Sequence, residues 1–184
     1  RVRALEAELG NKEDRSDYGL LRDLVVRDIA SLQELLSSVQ PEQLSQAADI
    51  IEQAEVVYLI GQLRSAPVVD LLRYILTMLG KRCVLLDPGG GLATHMARTI
   101  GKKDALIAVS FRFYATEVVN IVEEVARAKV PIIGISDNTL SPIAKSARVL
   151  FAVPEHDYTF SRSLAAPMCL AQALAVTLAA RDQD

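Results

Sequence analysis

The stretch Val56-Val57-Tyr58-Leu59-Ile60-Gly61-Gln62-Leu63-Arg64-Ser65 joins a short apolar run to a polar turn, and a helical pattern follows at once. This order predicts a buried strand, a tight turn and the start of a helix. The first turn of a helix leaves backbone N–H groups unpaired and carries the positive end of the helix dipole. With Arg64 and Ser65 on the turn, the sequence favours an anion such as a phosphate or a carboxylate at this place.

A second turn of the same kind follows the apolar run at 105–109. Its residues, Ser110-Phe111-Arg112-Phe113-Tyr114-Ala115-Thr116-Glu117, open another helical pattern. Either turn alone is a weak signal, because most strand-to-helix turns in α/β domains bind nothing. The two together, each with a hydroxyl and an arginine, indicate a site for a small anionic ligand.

On both sides of these turns the chain alternates apolar runs with helical patterns. Strands are predicted at 56–60, 82–86, 105–109, 131–135 and 149–153, and helices between them at 65–79, 92–99, 114–128 and 141–147. The runs are continuous in β-branched residues and leucine, which is typical of strands covered on both faces. The alternation predicts an α/β fold, a three-layer α-β-α sandwich with a five-stranded parallel sheet and right-handed crossovers. Ligands bind such sheets at the carboxyl ends of the strands, where both turns lie.

The flanking segments are predicted to be helical. Residues 1–16 are interpreted as the end of a preceding helix and a linker, and residues 17–184 as one folded domain. Apolar spacing predicts an amphipathic helix over 18–38, and Pro41 begins another helix at its first position. A last helix, from Ser161 to Arg181, is apolar nearly all round. The sandwich is therefore preceded by an N-terminal helical segment.

Composition sets limits on the class of protein. The 184 residues are enough for one domain with a real core. With 51% hydrophobic but only 5% aromatic residues, the core must be aliphatic, and the excess indicates surface buried by self-association. The net charge of −3 comes from interspersed acids and bases, so we expect no sequence-specific DNA binding by this chain alone.

Cysteine usage and hydropathy bear on the cellular location. Cys83 and Cys169 lie in apolar stretches without metal-ligand spacing, so they are predicted to be buried free thiols in a reducing, cytoplasmic compartment. No metal or cofactor is expected. The segment 163–180 is uncharged but rich in alanine, which favours a buried or interfacial helix over a membrane span.

With these elements in place, the chain resembles the sugar isomerase (SIS) domain over residues 40–180, and is similar in particular to the C-terminal effector domains of RpiR-type bacterial transcription regulators. The family's first turn, Gly-x-Gly-x-Ser, corresponds to residues 61–65, with Leu63 in place of the second glycine. Its second turn, Ser-x-Ser-Gly-x-Thr-x-Glu, corresponds to residues 110–117, with Arg112, Phe113 and Ala115 replacing the inner serine, the glycine and the threonine. The segment Ser141-Pro142-Ile143-Ala144 resembles the family's Ser-Pro-Leu-Ala.

The resemblance implies an anionic sugar ligand, either a sugar phosphate or a sugar acid. In the family the inner hydroxyls of the second turn donate to the phosphate. Here Arg112 replaces them with a charge-assisted contact that suits phosphate or carboxylate. Thr116 lies one position after the family's threonine and is a candidate substitute for it. Glu117 is expected to orient a sugar hydroxyl or cap its helix. The predicted ligand-binding residues are Arg64, Ser65, Ser110, Arg112, Thr116 and Glu117.

The resemblance further implies a non-catalytic effector-sensing domain, whose ligand controls DNA binding by a helix-turn-helix domain outside this chain. The alternative is a phosphosugar isomerase, which needs a base near the site. The chain offers the histidines His95 and His156 as candidate bases, but both are predicted to be surface residues without a catalytic role. A simple binding or dimerisation module ranks third. A nucleotide-binding enzyme ranks last, because neither a Walker A motif nor a full GxGxxG is present.

The sequence also predicts self-association. The helix predicted at 66–79 is apolar apart from Asp70 and Arg73, and the last helix lacks a polar face. Such helices must be buried on all sides, and a domain of this size has too few layers to bury both. We therefore expect a homo-oligomer, a dimer or a tetramer.

Overall fold

The computed structural model describes residues 16–86, 91–155 and 162–182. The helices in this part are α1 (Asp17–Ser38), α2 (Pro41–Gln53), α3 (Ala66–Met78), α4 (Ala93–Ala97), α5 (Thr116–Arg127) and α6 (Ala165–Arg181). The strands are β1 (Val57–Ile60), β2 (Cys83–Leu85), β3 (Ala105–Ser110), β4 (Ile132–Ser136) and β5 (Val149–Ala152). Single 3₁₀ turns cover Leu63–Ser65 and Ala144–Ser146.

All five strands are parallel and lie in the order β2-β1-β3-β4-β5. The chain runs from β1 outward to β2, then returns to place β3 on the other side of β1. The strand order therefore reverses between β1 and β3, the position at which doubly wound sheets form a ligand crevice. Both turns singled out in the sequence follow these two strands. The predicted α/β sandwich is confirmed.

The core consists of two aliphatic clusters, one on each face of the sheet. One cluster joins α2, α3 and α6 to side chains such as Leu59, Ile107 and Phe151. The other joins α4 and α5 to the opposite face of the same strands, through residues such as Leu106 and Ala108. Every residue of β3 is buried, because it is the central strand and has helices on both faces.

Some local predictions are wrong. Residues 141–147 form turns with one 3₁₀ turn instead of a helix. Ile143 packs into the core, and the Arg148 N–H, just before β5, donates to the carbonyl oxygen of Ile132 in β4. The hydroxyl of Ser141 is buried without a hydrogen bond among the described residues. Helix α5 starts at Thr116 instead of residue 114, and α4 is shorter than predicted at both ends. Cys83 and Cys169 are free, but Cys169 is exposed and Cys83 only partly buried.

Other predictions fall outside the described residues. These are residues 1–15 of the segment 1–16 predicted as the end of a helix and a linker, and the position of His156. At the boundary, Ser16 caps α1, since its side chain accepts a hydrogen bond of 3.1 Å from the Gly19 N–H. In the part of the chain that the structure covers, no helix is both long and apolar enough to span a membrane.

Helices α3 and α5 end in the same Schellman motif, in which two N–H groups beyond the helix donate to carbonyls of its last turn. The left-handed residue is Gly80 (φ 80°) after α3 but Lys129 (φ 60°) after α5. A residue with a Cβ is penalised in this conformation and glycine is not. We expect Lys129→Gly to raise the free energy of unfolding by about 1 kcal/mol in urea denaturation.

The matched control for this prediction is Gly80→Ala. It introduces the penalty at the equivalent position and should lower the free energy of unfolding by about 1 kcal/mol. A Lys129→Gly protein no more stable than the unchanged chain would show that Lys129 makes compensating contacts.

Candidate functional site

The turns after β1 and β3 are in direct contact. Gln62, in the first turn, donates a hydrogen bond of 2.6 Å from its Nε2 to Oε2 of Glu117, in the first turn of α5. The guanidinium carbon of Arg64 lies 4.8 Å from the centroid of the Phe111 ring, which follows β3 directly. These two contacts cross the switch point between β1 and β3, so the starts of α3 and α5 flank one shared edge of the sheet.

Both turns hold a bulky residue in a backbone conformation that glycine prefers. Leu63 has φ 54° and Phe113 has φ 63°, and both side chains are more than four-fifths exposed, at 82% and 81%. These are the positions where the SIS turns carry glycine. A left-handed residue with a side chain costs about 1–2 kcal/mol, so the surrounding structure maintains the turn geometry without glycine.

Gly61, the remaining glycine of the first turn, is required for close approach. A Cβ at this position would lie 3.0 Å from Cγ1 of Val69 and 3.1 Å from the backbone oxygen of Ser65. This brings the end of β1 close against the start of α3. The turn therefore stays tight although its second glycine is replaced.

The six predicted ligand-binding residues fall into three pairs. Ser65 and Ser110 are buried at the ends of the two turns, and the Ser110 hydroxyl has no hydrogen-bond partner among the described residues. Arg112 and Thr116 are exposed, and the Arg112 guanidinium lies 5.6 Å from the Phe113 ring centroid. The remaining two, Arg64 and Glu117, are partly buried and paired with other side chains.

The partner of Arg64 is Glu155, which lies just beyond β5. Its carboxylate contacts the guanidinium of Arg64 and also lies 3.5 Å from NH1 of Arg162. The Glu155 side chain is 7% exposed, against 26% for Arg64 and 15% for Arg162. Burial and the nearby positive charge of Arg162 lower the pKa of Arg64, and Asp137 opposes this shift.

A second polar cluster follows β4. The Tyr114 hydroxyl donates to Oδ1 of Asp137 at 2.7 Å and accepts a bond of 3.2 Å from the Asn138 amide. Ser136 connects this cluster to β3, because its hydroxyl lies 2.5 Å from the carbonyl oxygen of Ser110. Burial, together with the hydrogen bond to Asp137, raises the pKa of Tyr114.

The site thus contains charged groups that the sequence analysis did not assign to it: Asp137, Glu155 and Arg162. A signal was available for the two acids, because each follows a strand and the carboxyl ends of parallel strands meet at one edge. Arg162 has no such signal, since it precedes α6 and reaches the edge only through the tertiary fold.

Charges of both signs lie at this edge. The three guanidinium groups of Arg64, Arg112 and Arg162 and the three carboxylates of Glu117, Asp137 and Glu155 have formal charges that cancel. Guanidinium groups bind oxyanions, while carboxylates accept hydrogen bonds from hydroxyls. This combination suits a ligand that carries both an anionic group and hydroxyls. Among the described residues, no cluster of His, Cys, Asp and Glu has a metal-binding arrangement.

Residues 50–177 match the family model of the SIS domain, and the chain therefore belongs to the SIS domain family. A structure that it resembles closely is the sugar isomerase domain of an RpiR transcription factor from Sphaerobacter thermophilus. The two are 27% identical with a TM-score of 0.83, over 86% of this chain and 89% of that one. The chain also superimposes on Vibrio vulnificus NanR complexed with ManNAc-6P, at 20% identity and a TM-score of 0.78, over 97% of this chain and 67% of NanR.

A curated relative is an uncharacterized HTH-type transcriptional regulator from Thermotoga maritima. It is 25% identical over 124 residues, which are 67% of this chain and 44% of the regulator. The chain thus spans less than half the length of that relative. A phosphoheptose isomerase from Neisseria gonorrhoeae also has this fold, at 18% identity and a TM-score of 0.72, over 87% of this chain and 97% of that one, so the fold is common to regulators and enzymes.

Proposed function

We propose that this chain is the effector-sensing domain of a bacterial transcription regulator, non-catalytic, and that it binds a sugar phosphate or a related sugar acid. The observation that carries the proposal is the meeting of the two helix-initiating turns at the switch point, linked by Gln62 and Glu117. The relative from Thermotoga maritima, an HTH-type regulator, supports the regulatory part. The NanR complex with ManNAc-6P supports the ligand class.

In this proposal the anionic group of the ligand lies between the starts of α3 and α5. The free N–H groups of both first turns and the positive ends of both helix dipoles favour it there. Arg112 is exposed and forms no ion pair among the described residues, so its guanidinium is available to the ligand. The hydroxyls of Ser65, Ser110 and Thr116 are further donors, and Arg64 contributes once its own partner is exchanged.

The carboxylates serve the sugar hydroxyls. Glu117 already accepts one hydrogen bond from Gln62, and its remaining lone pairs suit a hydroxyl donor. A ligand bound here contacts the starts of both helices. It controls DNA binding only if it binds two quaternary states of the regulator with different affinity. The DNA-binding helix-turn-helix domain lies outside this chain.

The alternative function is phosphosugar isomerase. Proton transfer between sugar carbons needs a base with an accessible lone pair at the site. Glu155 is engaged with two arginines, but Glu117 accepts one hydrogen bond from Gln62 and keeps further lone pairs, so Glu117 is the carboxylate that an isomerase could use as its base. His95 is an exposed residue of the short helix α4. The regulator relative supports binding without turnover, and the turnover measurement below decides between the two functions.

The test is calorimetric titration of the chain with a panel of sugar phosphates and sugar acids, using the uncharged parent sugars as controls. We expect at least one anionic sugar to bind and its neutral parent to fail. The same mixtures, followed by NMR for interconversion of aldose and ketose, should show no turnover. Turnover would favour the isomerase. A panel without any binder would contradict the ligand class.

We also propose a homo-oligomer, because several apolar side chains remain uncovered. On α1 these are Tyr18, Leu20, Leu21, Val25, Ile29 and Leu36, and next to the groove between α3 and α6 they are Tyr74, Met78 and Val176. Analytical ultracentrifugation at micromolar concentration should therefore find a dimer or a tetramer. Val176→Glu should shift it toward smaller species, since a charge cannot be buried unpaired at an interface.

The matched control for this interface is Leu140→Glu. Leu140 is 92% exposed and lies in the loop after β4, outside α3 and α6. Its replacement by glutamate introduces the same charge as Val176→Glu. It should leave the oligomeric state unchanged. A monomeric unmodified chain would contradict the proposal.

A further inference from the structure

Glu155 is held where an incoming anion is expected to bind. Both of its carboxylate oxygens are inaccessible to solvent, and the groups facing them are the guanidinium groups of Arg64 and Arg162. Arg64 stands on the first of the two turns, at the start of α3, which is the place where helix N–H groups favour an oxyanion. The side chain that neutralises these arginines therefore comes from a different strand end, beyond β5.

The two arginines need an anion between them. Their positive charges are close enough that Arg162 helps to lower the pKa of Arg64. Each guanidinium presents several N–H donors, which match the oxygens of either a carboxylate or a phosphate. Aromatic rings line the same cluster, with Phe111 against Arg64 and Phe113 6.0 Å from the Arg162 guanidinium carbon. The arrangement has the chemistry of an oxyanion subsite that a protein carboxylate fills.

We infer that Glu155 is an exchangeable counter-ion: in the free protein it occupies the oxyanion subsite of Arg64 and Arg162, and the ligand's phosphate or carboxylate replaces it there. The inference rests on the proposed function, because it assumes that the oxyanion enters at the edge between β1 and β3. It adds an intramolecular competitor that sets the affinity of the site. The apparent affinity of a ligand is therefore its intrinsic affinity multiplied by the fraction of time for which the subsite is open.

This relation gives the expected size of the effect. A subsite that Glu155 fills for 90 to 99% of the time weakens binding by roughly ten- to a hundredfold. Glu155→Gln keeps the shape of the side chain but removes its charge, so the carboxylate that competes for the two guanidinium groups is lost. Binding of an oxyanion to this variant should be tighter by that factor.

The experiment is a titration with inorganic phosphate, followed by calorimetry and NMR at constant ionic strength, so that general screening is the same in every sample. It uses the full chain and its Glu155→Gln variant. The matched control is Glu55→Gln, which removes the same charge. Glu55 forms an exposed ion pair with Lys103 and precedes β1, at the amino-terminal ends of the strands and away from the site. We expect at least tenfold tighter phosphate binding for Glu155→Gln and no change beyond twofold for Glu55→Gln.

A second variant covers the case in which Glu155→Gln does not fold. Glu155→Asp retains the charge but withdraws the carboxylate by one methylene, so the competitor weakens and phosphate should bind several-fold tighter. Phosphate affinity that stays constant or falls in the folded variant overturns the inference. The same holds if the Glu55→Gln control tightens equally, since the gain would then be a general charge effect.

The two proposals fail differently. If the sugar panel yields a ligand that depends on Arg112, while Glu155→Gln leaves phosphate binding unchanged, the proposed function stands and the counter-ion inference is wrong. If Glu155→Gln tightens phosphate binding but no anionic sugar binds the unmodified chain, the counter-ion is supported and the ligand class is wrong.

Discussion

Replacement of Arg64 by alanine is expected to lower the free energy of unfolding by about 3 kcal/mol, because it removes one partner of a buried ion pair. The Glu155 side chain is 7% exposed, and among the described residues its remaining partner would be Arg162. The stacking of the guanidinium on Phe111 is lost as well. We place the effect at the low end for buried pairs, since the Arg64 side chain is 26% exposed and a second arginine remains. Urea denaturation measures it directly.

Two variants isolate the ion pair from the loss of bulk. Arg112→Ala makes the same substitution at an exposed residue of the neighbouring turn and should change stability by less than about 0.5 kcal/mol. In the double variant Arg64→Ala with Glu155→Gln, the loss should be smaller than the sum of the single losses, with a coupling energy of about 1–3 kcal/mol. An Arg64→Ala protein as stable as the unmodified chain would mean that Glu155 is satisfied without Arg64.

The fold could be predicted because its signals are local. Each strand is a continuous apolar run, and the covering of both faces by helices follows from the absence of alternation. The failure at 141–147 has the opposite origin. Its helical pattern is brief and contains Pro142. The packing of Ile143 in the core and the hydrogen bond from the Arg148 N–H to the Ile132 carbonyl decide the conformation. Tertiary contacts override propensity most easily in such short segments.

The candidate site could be predicted only in part, for a related reason. The two turns are recognisable because each is a contiguous stretch, and their meeting follows from the general rule for strand order. Whether Arg64 is free or paired depends on Glu155, 91 residues later in the chain. No spacing rule relates these two positions. Sequence analysis therefore found Arg64 and missed Glu155, the acceptor that pairs with it.

The two turns keep their backbone geometry although a glycine of each is replaced by a larger residue. Leu63 and Phe113 break the glycine pattern of the SIS turns, yet both retain a positive φ. Their exposure explains how this is possible, because a side chain that faces solvent has no buried neighbour to displace. The substitutions change the chemistry at the mouth of the site and leave its path of backbone N–H groups intact.

Arg112→Ala is expected to weaken binding of the anionic sugar by about ten- to a hundredfold, measured by calorimetry with the tightest ligand from the panel. A charge-assisted hydrogen bond contributes roughly 1.5–3 kcal/mol, and Arg112 stands at the position where the SIS turn carries a serine donor. Among the described residues its guanidinium lies against the ring of its neighbour Phe113 and forms no ion pair, so no carboxylate there competes with the ligand for it. The contrast with Arg64 is direct, because loss of Arg112 should affect binding and leave stability nearly unchanged.

Arg112→Lys separates charge from geometry. Lysine keeps the positive charge but cannot make the two parallel hydrogen bonds of a guanidinium, so it should restore only part of the lost affinity. Ser65→Ala is the milder companion at the first turn, where the backbone N–H groups survive the change and the loss should be smaller. If Arg112→Ala binds the ligand as tightly as the unmodified chain, Arg112 faces only solvent. The anionic group would then be held by the helix N–H groups and the arginines around Glu155 alone.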